Sequence, residues 1–77
     1  MAGVEKLISK MKNQPNGITF HEADRVLEAH GYRFIRRKSS HCSFRNESGD
    51  AITIVVRNAA IKKVYVDTIL ERIGETK

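Results

Sequence analysis

The sequence predicts an α+β fold: a three-stranded antiparallel sheet with helices packed on one face, in the order helix, helix, strand, strand, strand, helix. Apolar residues recur at helical spacing in two early stretches and again at the end, while the middle of the chain alternates with a period of two. The connections within the middle are short and polar, which suits a meander of neighbouring strands.

Val4, Leu7, Ile8 and Met11 follow the i, i+3, i+4, i+7 spacing of one helical face, so a first helix is expected over about 3–12. The run Asn13-Gln14-Pro15-Asn16-Gly17 stops it. Thr19-Phe20-His21-Glu22 then reads as a capping box, with the threonine hydroxyl and the glutamate carboxylate each accepting from the other's backbone amide. Phe20, Ala23, Val26, Leu27 and His30 form an inward stripe from there, and Gly31 ends the helix where a left-handed residue is wanted. Strands are expected near 32–38, 41–46 and 51–57, joined by a Ser39-Ser40 reversal and an Asn46–Asp50 hairpin loop. Val66, Ile69, Leu70 and Ile73 share a face of the last helix, and Gly74 follows.

Period two sorts the strand residues by face. Ile52, Ile54 and Val56 should point toward the helices, together with Cys42, Phe44, Tyr32 and Phe34. The open face then carries Arg33, Arg37, His41, Ser43, Arg45, Thr53 and Arg57, with Arg36 on the other parity. A bulge in any strand would flip part of that assignment.

A length of 77 residues allows one domain, 1–77, with its core over about 18–74. So small a core leaves room for stabilisation by a partner chain. The lone Cys42 forms no disulfide within the chain and fits a reducing compartment. No apolar run reaches the length of a membrane span and no signal peptide opens the chain, so a cytoplasmic protein without membrane contact is expected. No two His or Cys residues show metal-site spacing, and no glycine-rich phosphate loop is present, so neither a metal nor a cofactor is expected. Fourteen Lys and Arg against nine Asp and Glu give a net charge of +5, which favours a nucleic acid as partner, or else an acidic protein.

The charge is concentrated in Arg36-Arg37-Lys38-Ser39-Ser40-His41-Cys42-Ser43-Phe44-Arg45. A histidine gives and takes protons near neutral pH, and the surrounding cations can hold a polyanion beside it. That combination is the minimum equipment for cutting RNA, by attack of a ribose 2′-hydroxyl on the adjacent phosphate. His41 would serve as general acid or base, and a single histidine cannot do both at once, so Lys38 or a water must complete the pair. Arg36, Arg37, Lys38, Arg45 and Arg57 are candidates to hold phosphates, Lys62 and Lys63 to grip the backbone at the start of the last helix. Cys42 should point away from His41 and act as a small core residue; His21 reads as surface, His30 as packing.

Preceded by Gly31-Tyr32, this segment resembles the signature of HicA-type toxins, which runs glycine-aromatic, then Arg-x-Lys-Gly-Ser-His-His-x-aromatic-Arg. Ile52–Val56, Lys62-Lys63 and Thr68–Gly74 match the later parts of the pattern, so the resemblance covers about residues 4–74. Ser39 stands in place of the signature glycine and Cys42 in place of its second histidine. A further histidine of the family falls at Arg57 or Asn58. The resemblance implies a fold like that of a double-stranded-RNA-binding domain and a stress-response role as the toxin of a type II toxin–antitoxin pair. It implies a metal-independent endonuclease of mRNA with His41 as the catalytic residue, and Ser40 and Ser43 among the RNA contacts. It also implies a HicB-like antitoxin as partner. Two other functions fit the same residues: a non-catalytic RNA-binding module, and a protein whose basic face docks an acidic partner.

Overall fold

The structure, a computed structural model, describes residues 2–75. Helix α1 spans Ala2–Asn13 and ends in a 3-10 turn at Pro15–Gly17. Val4 and Met11 are buried on its inner face, and Leu7 and Ile8 are half-buried. Helix α2 spans Phe20–Ala29 behind the expected capping box. The Thr19 hydroxyl accepts from the Glu22 amide at 3.2 Å, and a Glu22 carboxylate oxygen accepts from the Thr19 amide at 3.0 Å. His30 departs from expectation: it is exposed at the C-cap of α2, with its ring Nδ1 2.9 Å from the Val26 carbonyl. The stripe therefore ends at Leu27, because the helix stops before His30 can turn inward.

Four antiparallel strands follow in the order β1 (Arg33–Lys38), β2 (His41–Arg45), β3 (Ala51–Arg57) and β4 (Ala60–Ile61), and helix α3 (Lys63–Arg72) closes the fold. The α+β architecture is the expected one, with one strand more than the three foreseen. β4 is only two residues long and hangs from a two-residue turn in which Asn58 and Ala59 both have positive φ, 54° and 64°, the pattern of a type I′ hairpin. Tertiary bonds hold it: the Ile61 amide donates to the Ile18 carbonyl at 3.0 Å, and the Phe20 amide to the Ala59 carbonyl at 2.9 Å.

Helix α2 packs on β1, α3 packs on β3, and α1 lies against both helices. The core between helices and sheet is built on Met11, Ile18, Val26, Leu27, Cys42, Phe44, Ile54, Val66 and Ile69, all below 2 % exposed. At one end of the sheet Asp50 accepts from the Tyr32 hydroxyl and from the Arg72 guanidinium. These two bonds, the tyrosine's first, hold the Asp50 carboxyl below its usual range. Burial and the same hydrogen bond push the Tyr32 phenol up.

β1 and β2 do not pair in a single register. Arg33 stands opposite Arg45 and Phe34 opposite Phe44, but the next pairs are Arg36 with Ser43, Arg37 with Cys42 and Lys38 with His41. Ile35 is therefore the extra residue of a β-bulge. β2 and β3 pair without interruption, with His41 opposite Val55 and Arg45 opposite Ala51.

Candidate active site

Cys42 and Phe44 are buried, so His41, Ser43 and Arg45 occupy the other, open face of β2. Residues directly opposite across an antiparallel pair share a face, with Cβ atoms about 4.5–5.5 Å apart. Lys38 therefore stands beside His41 on one side and Val55 on the other. Arg36 flanks Ser43, and Arg33 flanks Arg45. The open face is thus asymmetric: its β1 side carries Arg33, Arg36 and Lys38, while its β3 side carries the uncharged Ala51, Thr53 and Val55, with Arg57 only at the end of the strand.

The bulge corrects one expectation. Arg36 and Arg37 exchange faces: Arg36 lies on the side of His41, and Arg37 pairs with Cys42 on the side of the helices. Arg37 is still exposed, because the helices do not reach the end of the edge strand. Its Nε donates to the Ser39 carbonyl at 2.9 Å and braces the turn. Its charge also draws the Cys42 thiol partway back from a larger upward push by burial. That thiol is a buried core group, and it faces away from His41. Phe34 faces the helices as expected but remains 46 % exposed, packed edge-on against Phe20 and Phe44 with ring centroids 6.1 and 5.6 Å away.

The turn that presents His41 is strained. Ser39, at the position of the signature glycine, has φ of 56°, and Ser40 does not share the positive angle. A positive φ at the first of two loop residues alone is the type II′ pattern, which prefers glycine there. The Ser40 carbonyl accepts from the Val56 amide at 2.8 Å and pins the turn over β3.

The other candidate cations gather elsewhere. Arg57, Lys62 and Lys63 line a separate depression of about 520 Å3 where β3 and β4 meet α3. Lys62 is the N-cap of α3 without capping it through its side chain, and Lys63 donates to Asp67 at 2.8 Å. Among the described residues the ion pairs are Lys10–Glu22, Lys12–Glu75, Lys63–Asp67 and Arg72–Asp50. None of them neutralises Arg33, Arg36, Arg37, Lys38, Arg45, Arg57 or Lys62. Those carboxylates serve the helices and the far hairpin, and the cations around His41 have no ion-pair partner among the described residues.

The family model for the HicA toxin of bacterial toxin–antitoxin matches residues 20–75. The chain belongs to the HicA toxin family. Neither the curated proteins nor the solved structures contain a match to it. The HicA match takes in the whole segment 36–45 and its turn, and it leaves α1 and the 3-10 turn outside. Membership makes the chain the toxin half of a toxin–antitoxin system, with an antitoxin as partner. Among the described residues no three His, Cys, Asp or Glu side chains are grouped to hold a metal ion, and no helix is long and apolar enough to cross a membrane.

Ile35 lies on the open face, where alternation alone already places it; the sequence-based reading gives it no role, and the bulge leaves it without a partner on β2. The adjacent apolar pair Phe34-Ile35 is its only trace in the sequence, a lapse in the alternation that a regular half-buried strand would keep.

Proposed function

We propose that this HicA toxin is an endoribonuclease that cuts mRNA without a metal, with His41 as its proton-transfer group. The observation that carries this is the exposed imidazole at the start of β2, opposite Lys38 and close to Arg36, on a face whose cations have no carboxylate partners. An RNA strand supplies the missing negative charge.

In the proposed reaction His41 removes the proton of a ribose 2′-hydroxyl. The oxygen attacks the adjacent phosphorus, the bond to the 5′-oxygen breaks, and a 2′,3′-cyclic phosphate and a 5′-hydroxyl result. Lys38 and Arg36 stabilise the added charge of the pentacoordinate phosphate, and Lys38 or a water returns a proton to the leaving oxygen. Ser40, Ser43, Arg45, Arg57, Lys62 and Lys63 would contact the strand on either side. Arg37, on the far face, would act through the turn instead of through the phosphate.

A non-catalytic RNA-binding module is the second reading, favoured by Cys42 where the HicA signature has another histidine. The geometry weakens it: position 42 faces the core, so the replacement takes no proton carrier from the open face. In the cytoplasm the antitoxin would silence the toxin most simply by covering His41 and Arg45, and a HicB-like protein with carboxylates there suits that task.

His41→Ala, assayed on labelled RNA in EDTA, should abolish cleavage while retaining gel-shift binding. Its stability should stay within about 0.5 kcal/mol of the wild type, as befits an exposed side chain. Undiminished cleavage by the variant overturns the assignment, and binding without cleavage in the wild type selects the second reading.

A further inference from the structure

The open face has a second feature at the end away from His41. Arg33, Ile35, Arg45, Asn46 and Glu47 line a shallow depression of about 220 Å3. Its floor is apolar, because Ile35, next to the inward-facing Phe34 and unpaired in the bulge, points outward and is 52 % exposed. Its wall is a pair of arginines directly opposite one another, an arrangement that repels unless an anion sits between them. Neither guanidinium has an ion pair among the described residues, and Glu47 stands at the rim beyond salt-bridge reach of both. The Asn46 side-chain oxygen accepts from the Asp50 amide at 2.8 Å, and its Nδ2 has no partner among the described residues.

We infer that this depression is a second nucleotide subsite, in which a base of single-stranded RNA rests on Ile35 while Arg33 and Arg45 share its phosphate. Apolar floor and paired cations together match a nucleotide, which has a flat apolar face and a charged link; an isolated phosphate would leave Ile35 uncovered. Arg45 lies four residues from His41 along one strand, about 13 Å. One extended nucleotide does not span that distance, so the subsite engages a nucleotide beyond the dinucleotide that is cut. From His41 to the subsite the strand would follow the seam between β1 and β2, where the cations are, and leave the uncharged Ala51, Thr53 and Val55 free. The subsite rests on the ribonuclease reading, and it adds that substrate length governs affinity and turnover.

The test uses two series of oligonucleotides lengthened from a dinucleotide at either end. One series is RNA, for cleavage. The other is 2′-O-methylated, lacks the nucleophile, and reports binding alone. Wild-type protein should gain roughly ten-fold in affinity and in kcat/KM at one added nucleotide, on one end only. Ile35→Ser and Arg33→Gln should each remove that gain and leave the shortest substrates unaffected, with an unchanged thermal midpoint. A smooth rise with length, a gain that survives both variants, or an equal loss at every length overturns the subsite while leaving the ribonuclease standing. If the wild type neither binds nor cuts any of the oligonucleotides, both fall together.

Discussion

β1 and β3 belong to one sheet and differ in what disciplines them. β3 has a strand on each side and α3 across it, and its residues alternate strictly, with Ile52, Ile54 and Val56 buried. β1 is an edge strand, and all six of its residues are exposed. A one-residue slip in β3 would drive three apolar side chains into water. The same slip in β1 costs almost nothing and places Arg36 opposite Ser43, on the face that carries His41. Stability sits in the strand that cannot move, and the exposed cations proposed to meet RNA sit in the strand that could accept an extra residue.

The largest test of that division is Ile54→Ala, which should cost about 2–5 kcal/mol in urea denaturation, enough to unfold so small a chain. The matching change in β1, Ile35→Ala, should stay within about 0.5 kcal/mol. Similar costs at the two positions would break the comparison.

The bulge itself is tested by neighbouring arginines. Arg36→Gln should weaken RNA binding and lower the slope of log affinity against log salt by about 0.7, the value of one phosphate contact on a single strand. Arg37→Gln should leave that slope alone. If the two variants behave alike, the register shift at Ile35 does not operate in solution.

The start of β3 is also clamped, through Asp50, to Tyr32 and Arg72. Because the folded carboxyl is held below its ordinary value, its stabilisation is present above the unfolded pKa of about 3.9 and is lost as pH falls through the lower folded value. Glu22, held low by Lys10, and Glu75, held low by Lys12, act in the same direction. Asp24, raised chiefly by burial, opposes them. The thermal midpoint should therefore drop on acidification below about pH 4. Asp50→Asn should lower the midpoint at neutral pH and flatten this dependence. An acid profile as steep in the variant as in the wild type argues against the clamp.

A modest gain should come at the end of β1. Ser39→Gly relieves a positive φ at the turn and should raise stability by up to about 1 kcal/mol without altering RNA binding. A loss of stability would mean that the hydroxyl or the chain stiffness of Ser39 outweighs the backbone strain.

Much of the fold was legible because its signals are local or enforced by burial. The Thr19–Glu22 capping box involves four consecutive residues, and β3 states its inner face by alternation. The same logic located the open face of β2, where Cys42 and Phe44 fix the parity and leave His41 outside. β1 could not be read in this way, since water lies on both of its sides and no residue marks the register. That is why Arg36 and Arg37 were assigned to the wrong faces. β4 was hidden for another reason: two residues carry no period, and besides its hairpin partner β3 it is held by the distant Ile18 backbone. Its turn also has Asn58-Ala59 where Asn-Gly would have announced a hairpin.

The match to the HicA family model begins at Phe20, but the interior of the protein does not. Met11 and Ile18 lie ahead of that boundary at 1 % and 0 % exposure, in the same core as Ile54 and Val66. Lys10 and Lys12 reach across it to Glu22 and Glu75. Shared ancestry and cooperative closure therefore have different edges here. A fragment trimmed to the recognisable homology would keep every group proposed for RNA chemistry and lose part of the interior beneath it. The extra helix lies against α2 and α3, away from the open face that carries His41, and its part is in holding the fold closed.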